Sequence, residues 1–403
     1  MSFTNQEFQT RLNNVKKSMQ KKGIDLLISH DTANMYYLTG YDAWSFYYAQ
    51  CVLVHVDLDE PLCFVRAQDA GGAFIKTYLK KENIIIYNEN YIHKWPKHPY
   101  DYLVQIIKER KWDKLSIGLE MDAHYFTAFC YEKIKNGLPN AKIKDSERLV
   151  NWVRLVKSEA EINYMKSAAL ITEKAMHTAM NVINIDVRQC DAVGEIQKSL
   201  FYGTENVGGE YASITTLLPT GPGTSASHLT ATQDKFKNGE STIIEISGCV
   251  KRYHAPLART VQLGKPEQKK VDAMNATIEA LNAGINVVKP GNLANDVAQE
   301  FWKVLDKYKI KKESRTGYSI GIGYPPDWGE HTLNIYKGDM TVLKPNVTFH
   351  MIAVMQFGDW GVEASESIRV TENGNELLNN FPKELHIKSV SYTHLTLPTK
   401  RIV

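Results

Sequence analysis

The sequence predicts an α/β domain over residues 1–150, followed by a second domain over 151–388 of long helices and strand-and-turn regions. Three observations carry that division. Short apolar runs alternate with amphipathic segments through the first 150 residues, as strands alternating with helices do. Longer helical stripes begin after Ser158. Between them Ile243–Gly264 reads as a β-hairpin: β-branched at its start, turning near Val250–Arg252, and alternating in polarity over Leu257–Leu263. A chain of 403 residues is long enough for two substantial cores.

In order, Phe8, Leu12, Val15 and Met19 form a helical stripe that Gly23 is placed to end. Strands read at Leu26–Ile28, Cys51–Val56, Leu62–Val65, Ile84–Tyr87 and Leu115–Leu119, with amphipathic segments at Tyr102–Ile107 and Tyr125–Ile134. The boundary falls near Leu149–Val156. Ser158 to Glu161 then makes a capping-box pattern ahead of a stripe of Ile162, Met165, Ala169, Met176, Met180 and Ile183. Two more helices carry Val271–Ile285 and, after Pro290-Gly291-Asn292, Val297–Tyr308. Strand-and-turn regions cover 210–264 and 316–371. Ser389–Val403 continues no pattern and is expected to be a non-native tail, so it is set aside.

Hydrophobic content of 43% and charged content of 23% are ordinary for a soluble globular protein. A net charge of +3 argues for neither nucleic acid nor a membrane surface. The apolar runs are too short to span a bilayer, and MSFTNQEFQTR has no apolar segment of a secretory signal. Five cysteines without CxxC spacing suggest free thiols in a reducing compartment, so a cytoplasmic location is expected.

The hairpin turns Glu245 and the segment His254–Pro256 toward one pocket. Glu245 is either a nucleophile or substrate anchor, or a buried carboxylate paired with Arg259. His228 ends a Gly/Pro/Ser-rich loop, Leu217–Thr230. An imidazole titrates near neutral pH, and a general acid–base is worth about 10²–10⁴-fold in rate; the alternative is a structural loop histidine. Glu363 and Glu366 lie three apart, so on a regular strand only one faces the pocket. Tyr324 and Trp328 flank a rigid Pro325-Pro326 turn and offer walls for a cation. A second aromatic cluster, Tyr36–Tyr48, includes Tyr41 and Trp44, with core packing as its alternative.

These runs resemble the "pita-bread" hydrolases, the family of methionine aminopeptidase, aminopeptidase P, prolidase and creatinase. The likeness covers nearly all of residues 1–388 and is strongest from 150 onward, including RLVKSEAEI with Arg154, Lys157 and Glu161. It implies a creatinase-type α/β N-terminal domain, an α+β pita-bread catalytic domain and a homodimer whose N-terminal domain closes the partner's site. Metal-dependent members use two Asp, one His and two Glu. Glu245, Pro256, Tyr318, Ile352 and Glu366 stand at those positions here. Only Glu366 is retained, which makes it the expected pocket-facing carboxylate. Two carboxylates make a poor dinuclear site, so neither metal nor other cofactor is expected.

RYHAPLART at 252–260 and GYSIGIGYPPDWGE at 317–330 are most similar to the ectoine hydrolases within that family. The implied substrate is an ectoine-like zwitterion, a cyclic amidinium carrying a carboxylate. The resemblance has Glu245 add to the amidinium carbon and His228 move protons. Glu366, Glu363, Tyr318, Tyr324, Trp328, His254 and Trp44 would line the substrate, with Arg259 or Arg66 on its carboxylate. The rivals are a creatinase-like amidinohydrolase or lyase on another osmolyte, a catalytically dead binding protein, and a metallopeptidase.

Overall fold

The computed structural model describes residues 3–389, so most of the set-aside tail lies outside the described residues. The chain divides into two compact units. The first holds Met1–Ile162, Ser319–Leu333 and Asn346–Thr348, and the second holds Asn163–Tyr318, Asn334–Pro345 and Phe349–Val403.

The first unit begins with α1 (Asn5–Lys21), whose buried Phe8, Leu12, Val15 and Met19 are the expected stripe. Beyond its end Gly23 takes a left-handed φ of 59°. There follow β1 (Leu26–Ser29), α2 (Thr32–Thr39), β2 (Cys51–His55), β3 (Leu62–Arg66), α3 (Ala70–Lys76) and β4 (Ile84–Tyr87). Then come α4 (Pro99–Glu109), β5 (Ser116–Leu119), α5 (Ala128–Gly137), β6 (Lys142–Asp145) and α6 (Leu149–Val153). The sheet order is β4-β3-β2-β1-β5-β6, antiparallel at β1–β2 and β2–β3 and parallel elsewhere. Strands alternate with helices as the sequence predicts, except that β2 runs directly into its antiparallel neighbour β3. Every residue of α2 is buried, so it has no polar face to mark a helical period, and the sequence reading missed it. The helix expected from Tyr125 starts at Ala128 because the Thr127 side chain accepts the Cys130 N–H and caps it there.

The elements that follow are α7 (Glu159–Val182), α8 (Gln189–Tyr202), β7 (Ser241–Val250), β8 (Tyr253–Leu263), α9 (Gln268–Asn286) and α10 (Ala294–Lys307). After them run β9 (Gly317–Tyr324), β10 (Asp327–Asn334), β11 (Thr348–Phe357), β12 (Trp360–Val370), β13 (Asn375–Leu377) and β14 (His386–Lys388). The capping box forms as read: the Ser158 N–H donates to Glu161 and the Glu161 N–H to the Ser158 hydroxyl. Gly248 is a packing glycine. A Cβ there would lie 2.3 Å from the Ala168 carbonyl of α7, and its N–H donates to the Thr172 hydroxyl at 2.7 Å. Among the described residues no helix is long and apolar enough to cross a membrane, and all five cysteines are free.

The first unit buries a histidine in neutral form. His30 stacks on Phe126 at 4.1 Å, its ring nitrogens make no hydrogen bond among the described residues, and burial pushes its pKa down to about 3. Between pH 6.5 and 3 the unfolded chain therefore binds the proton that the folded chain refuses, and stability falls as pH falls. His30→Phe keeps the stacked ring and removes that liability. Relative to the parent, urea denaturation should show the variant gaining about 3 kcal/mol between pH 7 and pH 4. The neighbouring Glu120, which burial pushes up to about 7, is common to both proteins and drops out of the difference. A pH-independent difference would contradict this account of His30.

Candidate active site

Glu245 sits at the middle of β7. Pairing with β8 is antiparallel and unbroken from Ser241↔Gln262 to Val250↔Tyr253. Residues directly opposite share a face, and faces alternate along a strand. Glu245 lies opposite Ala258, Ser247 opposite Pro256 and Cys249 opposite His254. Glu245, Pro256 and His254 therefore share one face, as the hairpin reading expects, and Arg259 is on the other. The turn is made by Lys251 and Arg252, both left-handed at φ 49° and 66°. Glu210 and the Tyr211 carbonyl, which accept the Arg252 N–H and guanidinium, hold it there.

The outer edge of β7 is covered by the loop that carries His228. Leu217 exchanges both backbone hydrogen bonds with Glu245, and the Ile243 N–H donates to the Pro219 carbonyl. The Leu218 N–H donates in turn to the Leu229 carbonyl. His228 is thus one residue from a chain two strand spacings, roughly 10 Å, from β7. That separation is within the combined reach of a glutamate and a histidine. The turn Gly221–Ser225 packs on β12, where the Gly361 N–H donates to the Thr224 hydroxyl and a Cβ on Gly361 would lie 2.3 Å from the Thr224 carbonyl. His228 itself is exposed, with φ 65°.

Tyr318 begins a buried chain that leads back to the hairpin. Its hydroxyl lies 3.2 Å from His350 Nδ1, and His350 Nε2 lies 2.7 Å from the Ser365 hydroxyl. That hydroxyl accepts the N–H of Ala258, the residue opposite Glu245, at 2.6 Å. Burial, with Arg259 nearby, pushes His350 down to about 3, so it relays hydrogen bonds as a neutral ring. The sequence reading missed both His350 and Ser365. A lone histidine in an apolar strand carries no sequence signal.

Three expected substrate contacts are corrected by this geometry. Arg259 is fully buried and its donors are spent on protein. It reaches the carbonyls of Ala258, Ser365, Phe381 and Pro382 and the Glu366 carboxylate at 2.7 Å. Glu366, the expected pocket carboxylate, is consequently held by a residue of the face opposite Glu245. His254 is also buried. Its Nδ1 lies 3.0 Å from the Arg252 carbonyl, which can only accept, so Nε2 accepts from the Ser213 N–H at 3.0 Å. It braces the hairpin turn. Glu363 lies three residues before Glu366, and odd spacing turns it to the other side. Burial pushes Glu363 up to about 7, and Lys312 pulls it back.

Tyr324, Trp328 and Trp44 all belong to the first unit. Trp328 is completely buried, so it walls no open pocket. Tyr324 donates its hydroxyl to Asp42 at 2.7 Å and meets Phe46 edge-on. Tyr41 is buried against Ser45, while Trp44 is 57% exposed. Arg66 is forked onto Glu89.

Residues 163–372 match the metallopeptidase family M24, and residues 11–156 match the creatinase/prolidase N-terminal domain. The chain belongs to the creatinase/prolidase-type M24 family. A relative named ectoine hydrolase, from Halomonas elongata, is 41% identical over 96% of this chain and 99% of its own. Creatinase from a Bacillus species is 22% identical, covering 94% of this chain and 92% of its own. Among solved structures, prolidase from Thermococcus sibiricus superposes with a TM-score of 0.82 at 17% identity, over 94% of this chain and 99% of that one. Dipeptidase PepE from Mycobacterium ulcerans gives 0.80 at 17%, over 96% and 100%. The two-part fold expected from the sequence, creatinase-type α/β followed by α+β pita-bread, is the M24 fold of these relatives.

Proposed function

We propose that the protein opens the ring of ectoine or a close analogue, without a metal, to N-acetyl-2,4-diaminobutyrate. One observation carries this reading: of the five positions at which M24 metalloenzymes hold metal, those on this chain are Glu245, Pro256, Tyr318, Ile352 and Glu366, and Arg259 already holds Glu366. Proline and isoleucine have no donor atom, and a phenol against a buried imidazole is a poor ligand. These residues do not fit a dinuclear metal centre. The 41% relative named ectoine hydrolase supports the substrate.

In this reading the Glu245 carboxylate adds to the amidinium carbon, and water then displaces it, breaking the Glu245–carbon bond and supplying the oxygen that stays on that carbon. One ring C–N bond breaks, and His228 protonates the departing nitrogen. The net reaction consumes one water. Glu363, with Tyr318, meets the amidinium from the side opposite Glu366. The same reading has the enzyme as a cytoplasmic homodimer, and its free thiols suit a reducing compartment.

The test is mass spectrometry of chelator-treated protein mixed with ectoine and quenched early. Ring-opened product together with a substrate-sized adduct on the Glu245 peptide is the expected result. Product without adduct would leave direct water attack, and no product with or without added metal would remove the ectoine assignment. His228→Ala is expected to slow product formation by about 10²–10⁴-fold. Because His228 is exposed, its melting temperature should stay at the parent value. An unchanged rate would exclude it as the acid–base.

A further inference from the structure

We infer that the first unit carries a site for a single borderline divalent ion of the Zn²⁺, Co²⁺ and Ni²⁺ class, formed by His124, Asp327 and His331. None of the three is at a position where M24 enzymes hold metal, and nothing in the proposed reaction uses them. They come from two segments far apart in sequence: His124 from the loop between β5 and α5, Asp327 and His331 from β10. One ligand atom from each falls within 4.8 Å of the other two. His331 Nε2 and Asp327 Oδ2 are 3.1 Å apart, and the His124 and His331 rings meet edge-on at 5.5 Å.

Bonds of about 2.0–2.2 Å to nitrogen and carboxylate oxygen put tetrahedral ligands about 3.4 Å apart. The Asp327–His331 separation already has that size. His124 is exposed on its loop and needs a shift of only about an ångström to complete the set. Two further features favour a ligand over an isolated ion pair. The Gly329 N–H donates to Asp327 Oδ1 at 2.8 Å and so aims Oδ2 at His331, the outer-shell support that metal carboxylates carry. His331 is held at φ 55°, a conformation a non-glycine residue keeps only where its surroundings impose it. The concavity they line also includes Asp31, while its one arginine, Arg154, is paired with Glu330.

Two imidazoles and one carboxylate select a first-row ion of intermediate softness over Mg²⁺ or Ca²⁺. The ion's role is structural. It ties the loop of His124 to the start of β10, a contact otherwise made by the Tyr125 hydroxyl on the Pro325 carbonyl at 2.7 Å.

The test is calorimetric titration of the chelator-stripped full chain with Zn²⁺, with Co²⁺ absorption as a second readout. Saturation at one ion per chain, a higher melting temperature with Zn²⁺ and the visible bands of nitrogen- and oxygen-bound Co²⁺ are expected. His124→Ala and Asp327→Asn should each weaken Zn²⁺ binding by at least about tenfold. His124 is exposed, so its replacement leaves folding intact and isolates the ligand effect. No binding, or binding unchanged in His124→Ala, overturns the proposal. The readout is ion binding rather than turnover, so it stands or falls apart from the ectoine reading.

Discussion

Glu245→Gln is expected to lower the rate of ectoine ring opening by roughly 10⁴-fold or more, with no covalent adduct on the Glu245 peptide. The amide keeps the size of the side chain and its place opposite Ala258 but cannot add to an amidinium carbon. It also withdraws the negative charge that opposes the substrate's cation. Glu245→Asp restores the residue type that metal-dependent relatives use and retracts the carboxylate by one methylene. A displacement of about an ångström costs roughly 10²-fold, so this variant should fall between parent and Gln. Added Zn²⁺ or Mn²⁺ should rescue neither, because Pro256 and Ile352 supply no ligands. A Gln variant turning over at the parent rate, or a metal-rescued Asp variant, would return the chain to the metallohydrolases.

Arg259→Ala should destabilise the protein by about 3–5 kcal/mol in urea denaturation. The guanidinium and Glu366 are essentially inaccessible to water, at 0% and 1% side-chain exposure. Removing the cation leaves a buried carboxylate whose remaining opposing charge, Lys383 Nζ, is 4.0 Å away. It also strips donors from the carbonyls of Ala258, Ser365, Phe381 and Pro382. Those carbonyls distinguish this pair from a simple ion pair. Replacing both partners by apolar groups often restores stability where only the charges matter. Here Arg259→Met with Glu366→Leu should remain destabilised, since four backbone acceptors lose the guanidinium donors that reach them. If Arg259→Ala folded with parental stability and lost only substrate affinity, the arginine would regain the carboxylate-binding role the sequence suggested.

The hairpin shows how far one-dimensional pattern reaches. Alternation identified β7 and β8, their turn, and the shared face of Glu245, Pro256 and His254, because side-chain direction in a strand has a period of two. The same rule separated Glu363 from Glu366. It did not say which of them is already engaged, and the family position pointed to Glu366, whose carboxylate is bonded to Arg259. That choice rests on Arg259, a residue 107 positions away in sequence, which binds Glu366 on the opposite face.

By itself, then, the sequence determined the two-part fold, the hairpin and the capping box, all features of local spacing and residue type. Tertiary structure alone decided which polar groups are already satisfied. Arg259 and His254 read as substrate ligands until their donors and acceptors were traced to backbone groups and Ser213. Tyr318 joined Ser365 only through His350, and His124 met His331 only once β10 folded beside its loop. A side chain's chemistry is written in its identity. Its availability depends on partners that the folded chain brings from far away.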